Sequence, residues 1–211
     1  MPRADSILSI EEQARAARFR FARDRRRFVN CRAKVRSILA GELAIDPAQI
    51  KFCYNEFGKP SVEGLFFNVS HSHDVAMMAV SRSREVGIDI ERIDASFAND
   101  NIPERFFSPR EVAALRELPS TQQLDAFFRC WTRKEAYVKA RGMGLSLALD
   151  SFDVTLAPGE PARFLRGADD WMVESLSPMA GYAAALVGGV SIGAGIMKII
   201  GDSAAASPAL P

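Results

Sequence analysis

A chain of 211 residues, 48% hydrophobic and 25% charged, has an ordinary globular composition and can bury one large core or two smaller ones. Its three cysteines, Cys31, Cys53 and Cys130, have neither disulfide-framework density nor zinc spacing, which excludes both scaffolds and reads as reduced thiols in a cytosolic protein. The net charge of +1 hides an asymmetry: from Arg15 to Arg36 there are ten Arg or Lys residues and one acid, Asp24, a stripe that suits phosphate, nucleic acid or an acidic partner.

Polar residues come too early at the N-terminus for a secretory signal. About Ile10 to Ala40 reads as helix, with Phe19, Phe28, Val35, Ile38 and Leu39 forming an apolar stripe beneath the arginines. Asp46-Pro47 breaks it, Ile50–Tyr54 alternates like a strand, and Gly58-Lys59-Pro60 is a turn. Strands are expected at Leu65–Ser70, Val75–Ser81 and Val86–Glu91, and the short loops between them favour antiparallel pairing. Ser108, Pro109 and Glu111 form a capping-box start for one helix, and a second runs from near Ser120 to Arg141, stopping at Gly142. Strands follow at Ser151–Leu156, Trp171–Leu176 and Tyr182–Val187. The apolar stretch Gly181–Ile200 raises a membrane question, but its glycines and Lys198 favour a last core strand followed by a tail. The element order, helix then strands given twice, predicts an α+β fold of two similar halves: 1–85, 86–190, and a flexible tail over 191–211.

Three motifs carry chemistry. In Trp131-Thr132-Arg133-Lys134-Glu135-Ala136-Tyr137-Val138-Lys139, Glu135 and Lys139 share one helix face, either as a surface ion pair or as a corner able to hold a metal and a phosphate. In Gly87-Ile88-Asp89-Ile90-Glu91, period two puts Asp89 and Glu91 on one side of a strand. Two adjacent carboxylates repel unless a cation joins them, and oxygen-only donors favour Mg²⁺; the plain alternative is a solvated strand edge. Glu135 is a reasonable third ligand. In Phe67-Asn68-Val69-Ser70-His71-Ser72, Ser70 and His71 point to opposite faces, which argues against a nucleophile–base pair and leaves a backbone-bonding turn or a phosphate site. Lys59 reads as an exposed turn lysine unless the fold brings it to a phosphate. There is no P-loop, G-x-G-x-x-G, H-E-x-x-H or paired C-x-x-C.

With these residues in place, the chain resembles the Sfp-type 4′-phosphopantetheinyl transferases from about Phe19 to Val187. The series that carries the likeness is Asp24-Arg25-Arg26-Arg27-Phe28, Arg36, Gly58-Lys59-Pro60, Phe67–Ser72, Gly87–Glu91, Arg105-Phe106-Phe107-Ser108, Trp131 with Lys134-Glu135-Ala136 and Lys139, then Gly144-Leu145-Ser146. The resemblance implies a pseudo-twofold pair of α+β halves with coenzyme A in the cleft between them. It also implies Mg²⁺-dependent transfer of the 4′-phosphopantetheine arm to a serine of an apo acyl or peptidyl carrier protein, releasing adenosine 3′,5′-bisphosphate. Carried over by motif, Asp89, Glu91 and Glu135 would hold the metal, and Lys139, His71 and Ser70 would contact phosphates. Arg36 and Lys59 would hold the adenosine 3′-phosphate end, and Glu135 would be the general base, directly or through a metal-bound water. The first half would take the adenosine end and the second would carry the metal and the catalytic helix, in a cytoplasmic monomer that binds neither nucleic acid nor membrane. Fatty-acid, polyketide and peptide synthetase carriers all fit, with Arg105–Leu115 as the docking candidate. His73-Asp74 departs from the glycine-containing turn of many relatives. Two rivals are a metal-dependent coenzyme A pyrophosphatase and a nucleic-acid-binding module using the arginine stripe, the second of which leaves the three carboxylates unexplained.

Overall fold

A long helix backed by a three-stranded antiparallel sheet occurs twice along the chain, so the expected α+β class holds. The computed structural model describes residues 4–97, 101–189 and 196–201, with 4, 5, 145 and 196–201 described by backbone alone.

The basic N-terminal helix is two helices. Helix α1 (Ile10–Ala17) opens with a Ser9/Glu12 capping box, and α2 (Ala22–Leu43) follows after a non-helical link. The break has a long-range cause. Glu12 is buried, pairs with Arg32 and accepts a hydrogen bond from Arg36 Nε at 2.7 Å. In one unbroken helix those two residues would lie roughly 36 Å apart. Folding α1 back also buries Ala16 against Val29 and Ala33 of α2.

Strand β1 (Cys53–Tyr54) pairs with β2 (Pro60–Ser61) around the expected glycine turn. It is shorter than the sequence suggested, since Ile50 caps a 3₁₀ turn and gives its carbonyl to Arg36 Nη1 at 3.0 Å. Strands β3 (Phe66–Ser72) and β4 (Val75–Ser81) form a hairpin whose turn residue His73 itself adopts φ 54°, a left-handed conformation usually left to glycine. Strand β5 (Val86–Arg92) leads to α3 (Ile102–Phe106), α4 (Pro109–Glu117) and α5 (Ser120–Arg141), the last ending at Gly142 with φ 65°. The Ser108/Glu111 capping box forms as read. The strand expected over Ser151–Leu156 contracts to β6 (Asp153–Val154), paired with β7 (Phe164–Arg166) across a register shift, because a 3₁₀ turn occupies Leu149–Ser151. Strands β8 (Trp171–Leu176) and β9 (Tyr182–Gly189) complete a sheet ordered β5-β9-β8.

Part of the expected tail needs correction. Ile196–Gly201 is strand β10, antiparallel to β4, in a sheet ordered β10-β4-β3. The remainder of the 191–211 stretch lies outside the described residues. The apolar Gly181–Ile200 stretch is thus divided between two strands, and among the described residues no helix is long and apolar enough to cross a membrane.

Three apolar clusters stack through the molecule. Val35, Ile38 and Leu39 of α2 pack on Phe67, Met78 and Val80. Val75, Met77 and Ala79 of β4 meet Ile88 and Ile90 of β5 and Ala184 and Leu186 of β9. On the far face of β9, Ala185 and Val187 pack under Ala136, Tyr137 and Ala140 of α5. β5 therefore has α5 on one face and β4 on the other, and that sandwich sets out the candidate site.

Candidate active site

The contact between β5 and α5 is unusually close at Gly87. A Cβ there would overlap the carbonyl oxygen of Ala136 and the backbone nitrogen of Ala140, both on fully buried helix positions. Glycine on the strand and alanines on the helix let the two backbones touch. Asp89 and Glu91, two and four residues on, share Gly87's face of the strand and so run along the same helix toward Glu135 and Lys139.

Glu135 and Lys139 do not pair with each other as a surface ion pair would. Lys139 Nζ instead donates to Asp89 Oδ1 at 2.5 Å and to Ser70 Oγ at 2.8 Å, and Ser70 Oγ donates to Asp89 Oδ1 at 2.9 Å. Asp89 is 1% exposed, and its second oxygen, Oδ2, is buried without a hydrogen-bond partner. Ser72 Oγ donates to Glu91 Oε2 at 2.9 Å. Burial, then the charge of Asp89, raise the Glu135 carboxyl above the usual carboxylate range; Glu91 adds to this and Lys139 opposes it. Burial and Asp89 raise Glu91 in the same way. The three acids thus act on one another electrostatically, with the Lys139 ammonium opposing them.

This donor set fits a hard divalent cation. It offers oxygen only, it is electrostatically short of positive charge, and it holds an orphaned buried carboxylate oxygen. The coordination shell is not pre-assembled: among the described residues no three His, Cys, Asp or Glu side chains converge as a ready metal cage.

Strand β3 meets this site through its side chains. Asn68 Oδ1 accepts the Ile88 N–H at 2.9 Å, Ser70 Oγ the Ile90 N–H at 3.4 Å and Ser72 Oγ the Arg92 N–H at 3.0 Å. Among the described residues β5 pairs by backbone with β9 alone, so these side chains satisfy the edge that would otherwise lie open. The serines bond backbone, as the plain reading of that motif held, but across a seam between sheets and not within their own turn.

The other expected residues are dispersed. His71 lies at the exposed end of β3, on the opposite face from Ser70, where Arg27 of α2 pairs with Asp74 of the adjoining turn. Lys59 pairs with Glu85 and donates to the Ala140 carbonyl at 2.7 Å, while Asn55 Nδ2 donates to the Gly142 carbonyl at 2.8 Å. Lys59 thus sits at the C-terminal end of α5, where a cation is favoured by the helix dipole. Arg36 is not brought to the site. It is 2% exposed, and its guanidinium is committed to Glu12 and to the carbonyls of Pro47 and Ile50.

Lys134 stands in the Trp131–Lys139 motif, but the sequence gives it no role. It is fully buried, pairs with Glu111 Oε2 at 2.7 Å and donates to the carbonyls of Leu149 at 2.7 Å and Phe152 at 2.6 Å. Its partner was in view as the capping-box glutamate of α4. Within Arg105–Leu115, Arg105 and Phe106 are exposed, whereas Phe107, Glu111 and Leu115 face the interior. Phe106 and Phe97, both partly exposed, meet the Trp131 ring edge-on at 5.9 and 5.4 Å.

Comparison with known proteins covers both parts of the chain. A family profile described as the 4′-phosphopantetheinyl transferase superfamily matches residues 85–187, and one described as 4′-phosphopantetheinyl transferase, N-terminal, matches residues 2–83. The chain is 44% identical over 179 residues to the 4′-phosphopantetheinyl transferase HetI of Nostoc sp., covering 82% of this chain and 75% of that one. It is 36% identical over 154 residues to the 4′-phosphopantetheinyl transferase Sfp of Bacillus subtilis, covering 72% of this chain and 67% of that one.

Proposed function

Because this chain belongs to the 4′-phosphopantetheinyl transferase superfamily, we propose that it moves the 4′-phosphopantetheine arm of coenzyme A onto a serine of an apo carrier protein, with Mg²⁺ held by Asp89, Glu91 and Glu135. The observation that carries the site assignment is the Ser70–Asp89–Lys139 triangle with an orphaned carboxylate oxygen and the half-buried carboxyls of Glu91 and Glu135 beside it.

In this reaction the carrier serine oxygen forms a bond to the phosphorus that bears pantetheine. The bond from that phosphorus to the bridging oxygen of the pyrophosphate breaks, and adenosine 3′,5′-bisphosphate leaves. Phosphoryl transfer needs alignment and charge stabilisation more than a protein nucleophile. Asp89, Glu91 and Glu135 would hold the cation, which when bound would neutralise charge on the pyrophosphate. Lys139 has three N–H donors, of which Asp89 and Ser70 use two, leaving one for an oxygen of the transferred phosphate. Glu135, whose burial and acidic neighbours raise its proton affinity, is suited to accept the serine proton. A carboxylate bound tightly to a cation is a poorer base, so these two roles of Glu135 compete. His71 on β3 would contact the coenzyme phosphates and Lys59, at the end of α5, the adenosine 3′-phosphate; Arg36 is buried, with Nε bonded to Glu12 and Nη1 to two carbonyls, and takes no part in this reading.

Incubation with coenzyme A, Mg²⁺ and an apo carrier protein, followed by intact mass measurement, tests this reading. The expected result is a carrier heavier by one phosphopantetheine, with the gain lost on chelation and in Glu135→Ala. Cleavage of coenzyme A without gain in carrier mass would favour the pyrophosphatase, and neither product across a broad panel of carriers would sink the transferase reading.

A further inference from the structure

The two serines on β3 repeat one hydrogen-bonding device. Ser70 Oγ accepts the Ile90 N–H and donates to Asp89; Ser72 Oγ accepts the Arg92 N–H and donates to Glu91. In each case the hydroxyl takes a β5 amide and turns its proton onto the carboxylate one residue earlier. A backbone N–H can only donate and a hydroxyl has one proton, so the Arg92 amide leaves the Ser72 proton free for Glu91 Oε2. Ser72 is 8% exposed, which shields this bond from competing water. Glu91 is thereby held by one oxygen, with the other left over.

We infer that Ser72 is a positioning residue that orients the Glu91 carboxylate for a divalent cation. This rests on the reading above that Asp89, Glu91 and Glu135 hold such a cation. Asn68 supplies a useful contrast. It accepts the Ile88 N–H in the same ladder, but the residue before Ile88 is Gly87, so that rung fixes register and orients no carboxylate. Outer partners that fix a ligand carboxylate typically change metal affinity by about 10–100-fold when removed.

The test titrates Mn²⁺ into the coenzyme A-loaded protein and follows free Mn²⁺ by electron paramagnetic resonance, alongside thermal unfolding of each variant. Ser72→Ala should weaken Mn²⁺ binding by about tenfold while coenzyme A affinity, measured without metal, changes by less than about twofold. Ser72→Thr, which keeps the hydroxyl, should recover most of the loss, and Glu91→Gln should lose at least as much as Ser72→Ala. Mn²⁺ affinity unchanged in Ser72→Ala but reduced in Glu91→Gln would overturn this inference and leave the metal reading standing, whether or not the unfolding midpoint moved. No saturable Mn²⁺ binding by the wild type would overturn the metal reading and this inference with it.

Discussion

On α5, Lys134 faces α4 and β6, while Lys139, five residues on, faces β5. Each ammonium meets a buried carboxylate, yet the surroundings differ. Lys134 is fully buried, has three oxygens within 2.7 Å and lies 4.3 Å from the centre of the Phe152 ring. Every donor is used, and Glu111 also accepts the Ser108 and Val154 amides. Lys139 keeps 29% of its side chain exposed and one donor unused, and its partner Asp89 has an unsatisfied oxygen. The satisfied pair ties three elements together. The incomplete pair has the unmet valences that a ligand would fill, and it lies beside two acids whose carboxyls burial and Asp89 raise above their ordinary value. A charged motif on one helix therefore divides into a structural half and a reactive half, and satisfaction of hydrogen bonds separates the partner carboxylates Glu111 and Asp89, which burial does not.

The largest expected effect breaks the satisfied pair. Lys134→Ala leaves Glu111 buried without its ammonium and should cost about 3–5 kcal/mol in urea unfolding. A loss under about 1 kcal/mol would remove the structural side of the comparison. Lys139→Ala should register mainly in turnover, falling about 100-fold or more, with a smaller shift in the urea midpoint than Lys134→Ala. Equal destabilisation by the two would erase the distinction. Gly87→Ala drives a methyl into the α5 backbone at Ala136 and Ala140; the strain should cost about 1–3 kcal/mol and lower turnover by shifting Glu135 and Lys139 off β5. Unchanged activity and stability would show that the close contact does not set the site.

The smallest effect has the opposite sign. Glu135→Gln removes a carboxylate raised by burial and by Asp89, and should stabilise the metal-free protein by about 1 kcal/mol or less while abolishing transfer. Its pH dependence sharpens the point. Glu135 and Glu91 hold protons in the folded state above their ordinary value of 4.5, so protonation stabilises the fold fully below that value, and the benefit is lost as pH rises through the folded range. The advantage of Glu135→Gln over wild type should thus be greater near about pH 8 than near about pH 5. An advantage constant with pH would mean that Glu135 is not perturbed by its neighbours.

What the sequence disclosed follows the range of the interactions involved. The end of α5 at Gly142, the Ser108 capping box and the shared face of Asp89 and Glu91 depend on neighbours a few residues away, and all could be read before the fold. The break between α1 and α2 could not, because it serves the contact of Glu12 with Arg32 and Arg36. The burial of Arg36 was hidden for the same reason: within a run of arginines nothing local marks the one that turns inward. Ser72 belongs to the Phe67–Ser72 motif, but its use depends on β5 lying across the face of β3. The pairing of β10 with β4 had no local sign either, since the preceding glycines read as the start of a tail.

That last pairing also bears on how this chain can be cut. Strand β10, after β9 in the chain, joins the sheet made by β3 and β4, so that sheet draws its strands from both sides of the β5–β9 half. A protein shortened after Gly189 would keep every residue proposed for the reaction yet leave β4, buried along its whole length, with an unpaired edge. Such a truncation should retain activity per folded molecule but become prone to edge-to-edge association, and separate expression of 1–85 would lack a strand that the intact chain provides.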